Sequence, residues 1–598
     1  MRMVVPVMML VAVSLAGCRA QAGTAVVAGE LVAEAPTLHC LGVRWYVTGD
    51  ENGNASVQVS YRAAGERAWR EAMPLFRVGT GPDSQEGEKR LAAQWDRGWP
   101  FPIGNLFGGS IVDLRPNTAY EVKLILSDPD GGKAMRMLAM RTKREPVEGK
   151  PVRTLHVVSG DGGGTGTKAD PFRGLAAADA AARPGDLILV HQGVYPATFT
   201  MSKSGTAEAP IVWKGAGDGE AVIDGAGRGE SGGPAPRGVS ANEVRFVLFE
   251  GLGIRNTDFA FVAHGASDLT IRRCHFYQNE FGIAAHRNGE TPQRNFYIAD
   301  NVFEGPSTWP RTKGIEDARG IQISGEGHDI CYNRIRGFGD GADIMGRGPN
   351  RAIDFYNNEI SECTDDAIEL DYGQSNVRAF RNRITNCFEG ISTQPLFGGP
   401  AYIFRNAMYN LEYTQFKMHN NPSGGLYLHN TVVKVGQAWP LWTRAKLGRE
   451  FSRNNLFVGT EANHAMEHAP QWEVADYDYD GFAMANYGQF ASLQNVNRFE
   501  TFEDFRANSG IEKHAIFLGA DPQFATGVKP PADLKTQFPI SVNDLRLAKG
   551  SKAIDAGVFL PNIDDGFTGK GPDLGAYEYG RALPQYGPRG QGSGSRGQ

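Results

Sequence analysis

Residues 355–395 read FYNNEISECTDDAIELDYGQSNVRAFRNRITNCFEGISTQP. One pattern occurs twice in this stretch: Asn358, Ile360 and Cys363 are followed 24 residues on by Asn382, Ile384 and Cys387. Outside it, Asn-X-apolar segments with aromatic residues close by recur at Asn301, Asn333, Asn406, Asn430 and Asn455, so that successive gaps are 32, 25, 24, 24, 24 and 25. Short β-branched and aromatic runs at so steady a period predict a solenoid of strands. No single rung can bury its inner face, but stacking builds a continuous core. An Asn at each bend tolerates the left-handed conformation and can bond to the Asn above and below. Cys363 and Cys387 are expected as inward, stacked thiols, with a disulfide between them as the alternative, and Cys274 holds the ladder position one rung before Asn301.

The whole chain has 598 residues with 61 basic and 67 acidic side chains, a net charge of −6, 76 glycines and six cysteines. So many glycines without a Gly-X-Y period exclude collagen and favour a turn-rich β protein. Six cysteines make no disulfide scaffold, and a mildly acidic chain is a poor partner for nucleic acid. Arg2 precedes an apolar run from Val4 to Leu15, too short to span a bilayer. It ends in Leu15-Ala16-Gly17-Cys18, which resembles a bacterial lipoprotein signal over residues 1–18. The resemblance implies lipidation of Cys18 and an exported chain held by lipid alone at the bacterial cell envelope, at the outer membrane, with Arg19 following, if the cell is Gram-negative; an ordinary signal peptide with a chance Cys is the alternative. A monomer is expected.

Residues 25–147 alternate apolar and polar positions, as in Val43–Val47 and Ser56–Arg62. Leu114, Pro116, Thr118, Tyr120 and Val122 resemble the fibronectin type III pattern, in which the Tyr caps a sandwich corner. The solenoid is expected over 152–580. Its opening, with the Ala-rich segment before GDLILVHQGVY at 185–195, resembles secreted right-handed parallel β-helix proteins of the pectate-lyase-like kind. In them a helix plugs the open end of the solenoid. AIDAG at 553–557 and GPDLGAYEYG at 571–580 resemble their closing segments. Residues 581–598 are expected as a disordered Gly/Ser-rich tail. The fold class is therefore all-β, a right-handed parallel β-helix preceded by a fibronectin type III-like sandwich.

Three further motifs are weak. Gly160–Gly166 lacks the Gly-Lys-Ser/Thr of a phosphate loop. HAMEH at 464–468 has zinc-peptidase spacing, but Pro470 follows it at once and denies it the long helix that chemistry needs. DYDYDG at 476–481 begins like a calcium loop but has Tyr487 at its twelfth position.

Aligned by rung, FGIAAHR, RGIQISG, DGADIMG, DAIELDY, EGISTQP and YTQFKMH point Ile283, Ile321, Ile368 and Ile391 inward. Alternation turns two columns outward. One runs Ala284, Gln322, Asp343, Glu369, Ser392, Gln415, and the other His286, Ser324, Met345, Asp371, Gln394, Lys417. Asp343, Glu369 and Asp371 are then expected within about 5–8 Å of one another, where like charges need a cation, a shared proton or a base. Residues 337–371 carry nine acids against Arg347 and Arg351, a balance of −7, and residues 372–455 carry +7. An acidic knot beside a basic field suits an anionic sugar chain. The family resemblance implies a polysaccharide lyase or a glycoside hydrolase, and the Glu-x-Asp pair is similar to the calcium-binding Glu-x-Glu strand of alginate and chondroitin lyases of this fold. This chain departs from them in having no Lys soon after that strand. On the lyase reading Asp343, Glu369 and Asp371 hold calcium and Lys417 or Arg378 takes the proton. Glu369 and Asp371 are also the candidate catalytic carboxylates. Arg347, Gln322, His286 and Gln394 contact the polysaccharide. A hydrolase using the same carboxylates as acid and base, a non-catalytic glycan-binding or adhesive protein, and a solvated acidic stripe are the alternatives.

Overall fold

In a computed structural model of the chain, residues 24–78, 104–226, 235–286, 293–345, 349–443, 446–564 and 566–590 are described. Cys18 and Arg347 lie outside these residues. No helix among the described residues is long and apolar enough to cross a membrane.

The period-24 segments build a parallel β-helix. Among the described residues, one face is a 14-stranded parallel sheet that reaches Gln471–Asp478. Two interlaced stacks make a second, 20-stranded sheet and supply the other two faces. Inside lies one core, in which Ile283, Ile321, Ile368 and Ile391 are fully buried. Helix Leu175–Ala181 buries Leu175 and Ala178 against the first rungs. Helix Phe502–Asn508, capped by Thr501, which accepts from the Asp504 N–H, packs Phe502 and Phe505 against the last ones.

The asparagine ladder is continuous. Each of Asn301, Asn333, Asn358, Asn382, Asn406 and Asn430 donates its backbone N–H and its Nδ2 to Oδ1 of the next Asn, at 2.8–3.1 Å. The N–H of Cys274 opens it, donating to Asn301, and Asp480 closes it, accepting from Asn455. The left-handed conformation falls one residue earlier than the sequence suggests. Asp300, Tyr332, Asn357, Arg381, Arg405, His429 and Asn454 have φ between 50° and 60°. A strained residue thus turns the chain, and the following Asn points inward, where its hydrogen bonds offset that strain. Asn382→Ala strips partners from buried groups of Asn358 and from the Phe355 carbonyl. A loss of about 1–3 kcal/mol in urea unfolding is expected. Cys363 and Cys387 are register partners, buried and unbridged.

Two of the three faces carry covers. The N-terminal residues form two four-stranded antiparallel sheets around one core. One contains Val27–Ala33, Leu41–Thr48, Leu106–Ile111 and Phe76–Val78, and the other Arg70–Ala72, Ser56–Ala63, Ala119–Ser127 and Lys133–Arg141. The Tyr120 hydroxyl accepts from the Arg115 N–H at 2.9 Å, tying the corner. This unit lies on the 14-stranded sheet, with Leu38, Cys40 and Val112 packed among Tyr356, Phe380 and Tyr402. The segment after residue 518 runs along a second face, burying Leu545, Leu574 and Tyr577 against Tyr409, Val433 and Val458. Residues 581–590 are not the start of a loose tail. Tyr586 is buried and bonds Tyr577, while Arg589 donates to both carboxylate oxygens of Asp300. One aromatic and one cation supply anchoring that a Gly/Ser-rich composition hides. The third face carries the carboxylates.

Candidate active site

The register places most of the predicted residues that are described on this third face. Ala284, Gln322, Asp343, Glu369 and Ser392 are successive partners, as expected, but the column continues to Lys417 and not to Gln415. Phe416 takes the inward position opposite Ile391. A two-residue difference in the last rung therefore moves Lys417 into the column of Asp343 and Glu369.

One further outward column runs Phe259, Phe281, Arg319, Asp340. Beside it, Asp365 and Asp366 sit where strand Glu359–Glu369 bends from one stack to the next, at a break in register between Cys363 and Asp366. The bend brings Asp340, Asp365, Asp366 and Glu369 together, with one carboxylate oxygen of each within 4.8 Å of all the others. Lys417 closes the group: its Nζ lies 2.6 Å from Asp366, 3.2 Å from Glu389 and 3.5 Å from Asp365. Arg319 lies 2.8 Å from Asp340 and 3.4 Å from Asp343.

The expected metal set of Asp343, Glu369 and Asp371 is thus only partly the set that the bend assembles. Glu369 belongs to it. The Asp343 Oδ2 instead accepts from Gln322 and faces Arg319. Asp371 accepts from the Ser392 hydroxyl at 2.7 Å and the Gln394 N–H at 2.6 Å, so both Asp371 and Gln394 border the cluster. His286, its pKa lowered by burial and by His264, sits beside Gln322. Arg378 is not at this site. It lies on the 14-stranded sheet, fully buried against Asp354, and donates to Ser110 of the N-terminal unit. The basic field also disperses. Arg381, Arg405, Arg449 and Arg453 pair with Asp113, Asp564, Glu473 and Asp476, because a linear window averages over three faces of the solenoid.

Burial governs the electrostatics. It is the largest cause raising Asp340 to about 8 and Asp371 and Glu389 to about 7. Asp343, Asp366 and Glu369 are also pushed well above the carboxylate range, with neighbouring carboxylates adding to burial. Burial disfavours the Lys417 ammonium, but Asp366, Glu389 and Asp365 outweigh it and hold the proton on. Asp343 Oδ1 and Asp366 Oδ1 are buried without a hydrogen-bond partner. Hard carboxylate oxygens, in excess of the cations facing them and partly unpartnered, fit a calcium-type ion.

The flank is walled by the loop after Asn301. The Arg311 guanidinium lies 3.5 Å from the Phe388 ring centroid and 3.4 Å from Glu412. The geometry of two weak motifs does not fit the ions they suggest. HAMEH falls within strand Glu461–His468, where residues four apart are about 13 Å apart and cannot share one ion. Asp476, Asp478 and Asp480 face separate partners, Arg453, His514 and Asn455.

No family model matches the chain. Pectate lyase L of Dickeya chrysanthemi is 24% identical over 474 residues, spanning 74% of this chain and 94% of that protein. Among solved structures, pectate lyase Pel9A aligns over 72% of this chain and 97% of its own, with a TM-score of 0.38 and 17% identity. XylC in complex with xylose aligns over 57% and 86%, with a TM-score of 0.44 and 11% identity. The solenoid and the Dickeya relative together support a pectate-lyase-like parallel β-helix.

Proposed function

We propose that the chain is a polysaccharide-degrading enzyme that cleaves a uronate-containing glycan by β-elimination, with pectate, after the Dickeya relative, as the first substrate to test. The observation that carries this reading is a half-buried lysine within 2.6–3.5 Å of Asp366, Glu389 and Asp365, two of which belong to a four-carboxylate cluster. β-Elimination needs a base beside an acidified proton, and Lys417 becomes one when the carboxylates that hold its proton are engaged elsewhere.

Asp340, Asp365, Asp366 and Glu369 are the residues that would hold calcium. The ion, when bound, would neutralise a substrate carboxylate and acidify the proton on the adjacent carbon. Lys417 takes that proton at Nζ, the electron pair forms the new C4–C5 double bond as the bond from C4 to the glycosidic oxygen breaks, and the departing oxygen takes a proton from solvent. Once its carboxylate neighbours are engaged elsewhere, burial is left to disfavour the ammonium and free the amine. Arg319, fixed by Asp340 and Asp343, presents a cation beside the cluster for orienting the chain. Gln322 and Gln394 border the same surface as polar substrate contacts. The hydrolase alternative draws on carboxyls raised into the neutral range, which suit a general acid. Reducing ends formed without an unsaturated product would favour it.

A pH signature follows. The folded protein binds these carboxyl protons more tightly than the unfolded chain, so without a divalent cation stability should fall as pH rises from the ordinary carboxylate range through about 8. Calcium favours the ionised carboxylates, so its stabilisation should grow over the same range. Thermal midpoints with calcium and with a chelator check this. A rise with pH in the chelated protein would contradict it.

The N-terminal unit is proposed as a fibronectin type III-like spacer, supported by the Leu114–Val122 pattern and the Tyr120 corner. Export with lipidation at Cys18 is likewise proposed, on the Leu15–Cys18 motif.

A further inference from the structure

The column that contains Asp340 extends three rungs back to a pair of aromatic rings. Phe281 is the register partner of Arg319, and Phe259 of Phe281. At ~4.8 Å per rung, the two rings lie about 10 and 14 Å along the axis from Asp340. They stack at 4.5 Å between centroids and 15° between planes. Their strand neighbours Phe261 and Ile283 are buried in the core, but Phe259 and Phe281 are only half-buried and stand outside it. The guanidinium of Arg237, an exposed residue, lies 5.8 Å from the Phe259 centroid. A flat apolar surface with a cation at its margin matches a uronate sugar, which has apolar ring faces and one carboxylate.

We propose that Phe259, Phe281 and Arg237 form a sugar-binding subsite two to three rungs from the carboxylate cluster, so that a uronate chain lies along the solenoid axis with its distal units on the two rings. This rests on the reading of the cluster as a uronan-cleaving centre. The rings add affinity only for chains long enough to reach them, and the guanidinium adds an ion pair that salt weakens.

The test is steady-state kinetics on galacturonate oligomers of increasing length, with wild type, Phe281→Ala, Phe259→Ala and Arg237→Gln. For wild type, KM should fall with length until the chain reaches Phe259. Phe281→Ala should raise KM for long oligomers about tenfold and abolish the gain from length. Arg237 is exposed, so Arg237→Gln tests the subsite without disturbing the core, and its effect should shrink in high salt. A length dependence that survives both Phe281→Ala and Arg237→Gln overturns the subsite while leaving the cleavage reading intact. A wild type that neither binds nor cleaves any uronan fails the cleavage reading first, and the subsite falls with it.

Discussion

Lys417→Ala should lower kcat on a uronan by about a thousandfold or more, within the range set by loss of a positioned base. Nζ is held by Asp366, Glu389 and Asp365, and no other lysine among the described residues pairs with these carboxylates. The substitution also removes a lysine that faces a surplus of carboxylates, so the variant should unfold at a lower temperature than wild type in chelator, and calcium should narrow that gap. Binding of oligomers to the folded variant should persist. A kcat within tenfold of wild type would remove Lys417 from the chemistry and return attention to the carboxylates as acid and base.

Arg378→Met should cost about 3–5 kcal/mol, because it takes the ion-pair partner from Asp354 in a fully buried position. The loss should also weaken the contact between the N-terminal unit and the solenoid, since Arg378 donates to Ser110, which in turn bonds Asn376. Replacing Asp354 as well, in Arg378→Met with Asp354→Leu, should recover part of the stability by removing the stranded charge. Chemical denaturation of the three proteins measures this directly. A single variant as stable as wild type would mean that water or another group satisfies Asp354.

The solenoid was legible in the sequence because its repeat is a packing requirement: successive rungs bury an apolar side chain at the same inward place and, from Asn301 to Asn455, repeat the same Asn, so the period is written in residue type. The asparagine ladder appeared through Asn301 to Asn455 for that reason. Its terminal acceptor, Asp480, did not, because an aspartate accepts at that place as well as an asparagine does. The candidate site was legible only where strand alternation holds. Asp343, Glu369 and Asp371 were placed on one patch by period-2 reasoning. Asp365 and Asp366 escaped it because they sit at a bend, where the register breaks and successive side chains no longer alternate. Asp340 and Arg319 escaped it because they belong to a third column, beyond the strand centre. Lys417 was two residues out of register because the bends differ in length from rung to rung. Arg378 and the basic window misled for the opposite reason: residues near in sequence were assigned to one groove although the solenoid carries them to different faces.

The most direct measurement is the ultraviolet absorbance of an unsaturated uronate product when purified protein is mixed with polygalacturonate, with calcium and with a chelator. A site formed by Asp340, Asp365, Asp366, Glu369 and Lys417 predicts absorbance that grows in calcium and stops in chelator, and none from Lys417→Ala. New reducing ends without that absorbance, or equal absorbance from Lys417→Ala, would contradict it.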